Sequence, residues 1–534
     1  MAALLVLVIM LSAAGTAAIA WVLVRMHGHK QDALRSFARV VELTEISTDP
    51  APWGLNFPHH FDQYKLTAGD RFYGGSEALP ESKLEQSPWL KRLYAGYAFA
   101  LDYREARGHA YMLYDQVVTR RVNERPQAGA CLHCHASTVV LYRKVGMEAL
   151  GQSANESSLA SEFNMPAIMK GFEVLSTKPY HEVLEMLTQV PDGTPLSASL
   201  NQEVSQDQPI FESPPVGGFG PTPPEGHFQI SEAHPVSCID CHDPKNMSLR
   251  ITRPGFMTGI ANLAASDQPV PHMPSIDRWR SGDRAQPYAP NQSASRQEMR
   301  SFTCAQCHVE YYCATRDVLE FPWKHGLKAE HLEQHWEEKK FPDGSDFFDY
   351  NHAETGAPLF KVQHPEFELW TQGTHAAAGV SCADCHMPYE RAGAMKLSNH
   401  NVHSPLENIN NACQHCHNVS ETALKQRVDM IQGRTVEMID RAAKAMLDML
   451  DTIVECKLAG ASAEELQEIH FFQRKSMWRL DYISSENSKG FHAAQESARI
   501  LAESIDFSRQ AQASALKLLQ RLRSTQEQQS SQNN

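Results

Sequence analysis

Cys131-Leu132-His133-Cys134-His135 is the first of five motifs of one form. The others are Cys238-Ile239-Asp240-Cys241-His242, Cys304-Ala305-Gln306-Cys307-His308, Cys382-Ala383-Asp384-Cys385-His386 and Cys413-Gln414-His415-Cys416-His417. Two cysteines three apart can hand their thiols to the two vinyl groups of one haem, and the next histidine reaches its iron as an axial ligand. In a 534-residue chain with 12 cysteines and 26 histidines, chance would supply about 0.01 such motifs. Zinc knuckles are excluded, because isolated motifs do not pair into C-x-x-C…C-x-x-C sites. The motifs therefore predict five covalently bound haem c groups. Each macrocycle is a broad, flat hydrophobe around which a core can form with little sheet. The predicted fold class is a mainly α multihaem cytochrome with long C-terminal helices. Cys313 and Cys456 remain outside the motifs and read as small buried hydrophobes.

Outward from the motifs, the chain divides by texture. Residues 1–24 carry no charge and are long enough to span a bilayer as an anchor. Ala18-Ile19-Ala20 also allows reading this run as a cleaved signal segment. Arg25, His27 and Lys30 follow it and would place that end in the cytoplasm by charge. Haem attachment outside the cytoplasmic membrane argues the opposite orientation and outweighs three weakly basic residues. A linker over 25–49 leads into a haem domain over 50–418, interrupted by a Pro/Gly-rich loop excursion at 191–229. From 419 to 525, apolar residues such as Leu424, Val428, Ile431, Ala442, Met446, Met449 and Ile453 recur at helical spacing. These read as core or subunit-contact positions. Gly460 ends that helix, Ser462 and Glu465 form a capping box for the next, and a third helix runs from about 493 to 522. A Gln/Ser-rich tail over 526–534 is predicted to be disordered. The formal charge of -14 excludes a nucleic-acid surface, which needs a basic face.

Longer stretches carry a resemblance. They are Arg107-Gly108-His109, His234 to Pro244, Cys304 to Tyr312, Lys361-Val362-Gln363-His364-Pro365, Thr374-His375, Cys382 to Pro388 and Glu486 to His492. Over roughly residues 40 to 500 the chain resembles the ammonia-forming pentahaem cytochrome c nitrite reductases. The resemblance implies four haems with histidine on both faces and a first haem with one face open to substrate. It assigns second ligands His400 to haem two, His109 to haem three, His492 to haem four and His375 to haem five. Most of that family carries a lysine where this chain has His135, and axial ligand identity is a main lever on haem potential.

The resemblance further implies a catalytic trio of Arg121, Tyr311 and His364, with Arg120 as a neighbouring alternative to Arg121. An arginine holds nitrite oxygens through a fork of permanent donors. A histidine titrates in the right range to give protons, and a phenol positions what is bound. A calcium ion is implied at Glu310 and Gln363 side chains with the carbonyls of Tyr311 and Lys361, a hard-oxygen set. Implied partners are nitrite, a membrane tetrahaem quinol dehydrogenase as electron donor, and a second copy of the chain as homodimer. The implied location is the periplasmic side of the bacterial cytoplasmic membrane. A pentahaem electron-transfer cytochrome without its own substrate remains open at this level, because His133, His272 or His403 could close haem one.

Overall fold

In a computed structural model of the protein, residues 2–35, 39–68, 80–191, 233–393 and 395–532 are described. Helices dominate. Among the described residues, strands form only three antiparallel two-stranded hairpins, pairing Tyr312–Ala314 with Asp317–Glu320, Tyr350–Asn351 with Pro358–Leu359, and Tyr389–Ala392 with Met395–Ser398. The mainly helical architecture with long C-terminal helices is as the motifs predict.

Local chemistry explains why the motif turns are helical. At motifs two and four a serine precedes the first cysteine, and an aspartate occupies the third helical position. Asp240 accepts from the Ser237 backbone N–H at 2.8 Å, and Asp384 accepts from that of Ser381 at 2.8 Å. Both are capping boxes that satisfy helix-start donors reciprocally. Each aspartate also holds an arginine from elsewhere in the chain: Arg253 on Asp240 and Arg300 on Asp384, both at 2.9 Å. The Arg253–Asp240 pair is almost wholly buried, so it ties motif two to the following helix rather than to solvent.

Helices Val139–Ala149 and Met165–Leu175 cross at two glycines. A Cβ at Gly146 would stand 1.7 Å from the Ala167 carbonyl oxygen, and one at Gly171 would stand 1.8 Å from that of Tyr142. Only glycine permits this approach, and it closes the core behind motif one.

Three long helices, Glu421–Leu458, Gln467–Ser484 and Ala494–Gln532, pack together at the C-terminus. Ser420 caps the first, accepting from the Ala423 N–H at 3.2 Å. Gly460 follows its end at φ +89°, a left-handed position. The Ser462–Glu465 capping box forms as well. Met446, Met449 and Ile453 are buried against the neighbouring helices, and the buried Cys456 thiol donates to the Ala515 carbonyl at 3.1 Å. Leu424, Val428 and Ile431 do not follow this pattern. They line a cavity shared with the motifs, because the first half of their helix extends beyond the three-helix core.

Several expectations need correction or fall elsewhere. The third helix continues to Gln532, so residues 526–532 of the expected disordered tail are helical. Glutamine and serine cost little in a helix whose preceding turns are already paid for by packing. Among the described residues no helix is long and apolar enough to cross a membrane, so the anchor expected over 1–24 has no support. A helix spans Ala2–Arg35, with nothing described of its first side chains. The 191–229 excursion, after residue 191, and the Cys313 side chain lie outside the described residues.

Candidate active site

One continuous cavity of about 1450 Å³ is lined by all ten motif cysteines and all five motif histidines. Pockets for a single organic ligand are roughly 300–1,000 Å³, so this one is sized for several large groups. The motifs adjoin out of chain order. Cys134 lies against Cys307, and Cys304 against Cys382. Cys241 lies near Cys304 and Cys307, and Cys385 near Cys413 and Cys416. Motif three is thus the hub, with one, two and four around it and five beyond four.

Four imidazole pairs face each other across the cavity. Ring centroids are 6.1 Å apart for His242 and His400, 6.5 Å for His308 and His109, 6.4 Å for His386 and His492, and 6.3 Å for His417 and His375. Two imidazoles bound to one metal at about 2.0 Å each, with about 1.1 Å from nitrogen to ring centre, would have centroids about 6.2 Å apart. The spacing fits a metal between the rings and is too wide for stacking. These are the four pairs that the resemblance implies. Gly373 permits one of them: a Cβ there would meet the His492 carbonyl oxygen at 2.0 Å.

Partners on Nδ1 leave Nε2 free to point into the cavity. His135 Nδ1 is 2.9 Å from the Met112 carbonyl, His242 Nδ1 3.0 Å from that of Met247, His386 Nδ1 3.2 Å from that of His403, and His400 Nδ1 2.7 Å from that of Ser398. A carbonyl partner selects the tautomer with its proton on Nδ1 and makes the other nitrogen the ligand. Burial pulls His109, His135 and His386 down to about 4 and His400 to about 3. All four rings are therefore neutral and ligand-ready at neutral pH.

His135 differs from the other motif histidines. Among the described residues no second imidazole pairs with it. His133 packs in the core, 4.8 Å from Phe172, and His272 stands edge-on to Trp370 at 5.6 Å. His403 belongs to the motif-four side, where its carbonyl holds His386. What approaches His135 instead is Arg121, whose charge reaches it, and His364, which lies close by. Tyr311 lines the same cavity. Arg120 points outward and pairs with Glu124 at 2.6 Å, its side chain 57% exposed. Arg121 lies over the Phe99 ring at 4.2 Å, which directs its guanidinium into the cavity.

Backbone pairing brings the trio together. His364 N–H donates to the Val309 carbonyl at 3.3 Å, Phe367 N–H to that of His308 at 3.1 Å, and Gln363 N–H to the Glu310 carboxylate at 2.6 Å. The segment after motif three and the segment 361–367 therefore run side by side and present Tyr311 and His364 to one space. His364 does not titrate near neutrality as expected. Burial holds it well below its ordinary value, and His308, Lys83, Lys361 and His135 add to the effect. It faces the cavity with 37% of its side chain exposed, so water moderates the depression while the cavity is open. Held below its ordinary value, it acts as a neutral N–H donor rather than an imidazolium.

Behind the trio sits a buried polar network that the residue pattern did not reveal. Lys361 Nζ is 3.2 Å from Asp481 and 2.9 Å from the Ser485 hydroxyl. Asp481 also accepts from Tyr94 at 2.5 Å, the Val362 N–H at 2.8 Å and Ser485 at 2.8 Å. Both Lys361 and Asp481 are essentially inaccessible. Burial pushes Glu310 well above the usual carboxylate range, Glu368 up to about 8 and Asp349 up to about 7. Glu310 and Asp349 lie near Lys361 and near each other, a crowding of carboxyls that a divalent cation would relieve. Among the described residues no three His, Cys, Asp or Glu side chains are arranged to hold a metal ion. Calcium at Glu310 would have to draw on the Gln363 amide oxygen and main-chain carbonyls, a hard-oxygen set of the right chemistry. Lys83 and Phe99 also line the cavity. A lone lysine and an aromatic in an aromatic-rich stretch give no signal of their own.

Residues 49–159 and 224–533 match the family model described as cytochrome c552. The cytochrome c-552 of Parabacteroides distasonis is 30% identical over 494 residues, covering 90% of this chain and 79% of that protein. That of Bacteroides fragilis is 31% identical over 493 residues, with the same coverage of 90% and 79%. The catalytic subunit of cytochrome c nitrite reductase from Desulfovibrio desulfuricans, a protein with two calcium sites, superposes with a TM-score of 0.64 at 25% identity. That match covers 89% of this chain and 88% of the other.

Proposed function

The chain belongs to the cytochrome c552 family, and from that premise we propose that it reduces nitrite to ammonium at a single open-faced haem c fed by four bis-histidine haems. The carrying observation is the asymmetry of the cavity. Four motif histidines face a second imidazole, while His135 faces the Arg121, Tyr311 and His364 side instead. The reaction converts nitrite, six electrons and eight protons into ammonium and two waters. Held by Cys131, Cys134 and His135, haem c at motif one would supply an iron able to bind nitrite and deliver electrons. Arg121 holds the anion by charge and paired donors. Neutral His364 donates a hydrogen bond to an oxygen of bound nitrite, and Tyr311 positions it from the other segment. Calcium at Glu310, Gln363 and the Tyr311 and Lys361 carbonyls would lock the two segments in register.

An electron-transfer role alone would need a second ligand for haem one. Among the described residues neither His133, packed against Phe172, nor His272, packed against Trp370, nor His403, on the motif-four side, pairs with His135. The reading places the protein in the periplasm, with a membrane tetrahaem quinol dehydrogenase as donor and a homodimer as the working unit.

Purified holoprotein should convert nitrite to ammonium with reduced viologen as electron source; release of only nitric oxide, or no consumption, would defeat the reading. Mass spectrometry of the mature chain should show five covalent haem additions, and four or fewer would remove the electron-storage role. Changing His400 to Met should alter the spectrum of one low-spin haem and leave ligand binding at haem one intact. An unchanged spectrum would show that His400 is not a ligand.

A further inference from the structure

We propose that Glu486 sets the redox potential of haem four by drawing the Nδ1 proton of His492 and giving that ligand imidazolate character. The proposal rests on the reading of His386 and His492 as the two ligands of one haem. Four other candidate ligands direct Nδ1 at a neutral carbonyl. Among the nine candidate haem ligands His492 alone has a carboxylate within hydrogen-bond distance: Glu486 Oε1 lies 2.6 Å from its Nδ1. Both atoms are buried and neither makes a regular hydrogen bond to any other group, so this close approach is the polar contact open to each.

The carboxylate is held for this task. Its side chain is 0% exposed. Its other oxygen accepts from the Ser488 hydroxyl at 2.8 Å and from the Gly490 N–H at 3.4 Å. Two donors thus converge on one oxygen and the imidazole nitrogen lies against the other, the environment of an ionised, acceptor-only carboxylate. Ser488 also accepts from the His492 N–H at 3.0 Å, so one turn fixes acid and ligand together. A carboxylate on the outer nitrogen makes an imidazole a stronger electron donor, and this favours the ferric over the ferrous iron. Water does not dilute the effect where the acid is fully buried.

Placement gives the shift a consequence. Motif four lies between motif three and motif five, touching one through Cys304 and Cys382 and neighbouring the other through Cys385. A haem there that resists reduction is an energetic step between haem five and the cluster of haems one, two and three. Electrons that have reached the cluster are retained beside the substrate.

The test is a redox titration of the five-haem holoprotein, followed by low-spin EPR and optical spectra, with His492→Met identifying the signal of haem four. In Glu486→Gln that haem should move to a more positive potential while the other four keep theirs and all four bis-histidine signals persist. Glu486→Asp, which keeps the charge, should return the potential part of the way to wild type. If Glu486→Gln does not mature, Glu486→Asp alone must still displace that one haem. Five potentials identical to wild type in the variants would overturn the proposal, as would an equal shift in every haem. If His492→Met leaves all four signals in place, the ligand reading itself fails, an outcome separate from unchanged potentials.

Discussion

Holoprotein with Arg121 replaced by Ala should bind nitrite about 1.5–3 kcal/mol more weakly, roughly ten- to 150-fold, the usual worth of hydrogen bonds to a charged group. Arg121 is turned into the cavity over Phe99, and its charge reaches His135, so its loss falls on anion binding. His364→Asn should behave differently. Because His364 is held neutral by burial with Lys83 and Lys361 nearby, the variant moves the N–H donor from an imidazole to a shorter amide and keeps the local charge. Turnover should fall by about a hundredfold or more, with a much smaller change in nitrite affinity. Cyanide or nitrite titration of the oxidised protein reads the first effect, and steady-state ammonium production reads the second. One haem should respond to added ligand and four should not. Full ammonium production by Arg121→Ala, Tyr311→Phe and His364→Asn together would show that the open face lies elsewhere.

Asp481→Ala should destabilise the protein by about 3–5 kcal/mol, the cost of leaving a buried charge without its partner. Lys361 and Asp481 are 1% and 0% exposed, so solvent cannot compensate. The substitution also strands the Tyr94 hydroxyl and the Val362 N–H. The urea midpoint of the holoprotein measures the loss. Lys361→Met added to Asp481→Ala should recover a large part of it, since removing both charges is far cheaper than removing one. Nitrite turnover should fall with the single change as well, because Val362 and Lys361 precede Gln363 and His364 on the strand-like segment that positions the trio. A midpoint unchanged in the single variant would show that water reaches Lys361.

How much of this was legible in the residues divides along one physical line. The haem attachment sites are local: two thiols and an imidazole within five residues carry the chemistry, so their spacing alone identifies them. The same holds for the C-terminal helices, where the apolar period, Gly460 and the Ser462–Glu465 box are all short-range signals. The second ligands are different. His109, His375, His400 and His492 are lone histidines in unrelated surroundings, and only resemblance singled them out. Arg121 and Arg120 could not be separated by pattern, since adjacent residues differ only in the direction their backbone gives them. The tail ran against expectation because composition describes a solvated segment, whereas residues 526–532 continue a helix already nucleated by packing.

What the sequence by itself determined was the cofactor chemistry, the helical class and the family, since each is encoded by residues close together in the chain. Which motif adjoins which, and at what distance one imidazole faces another, were decided only by tertiary structure. Cys134 meets Cys307, and His242 meets His400, across separations that no local spacing encodes. The neutrality of His364 and the carboxylate on His492 are likewise properties of burial and neighbours. A side chain's charge and its hydrogen-bond partner depend on what surrounds it, and those surroundings exist only once distant segments have packed.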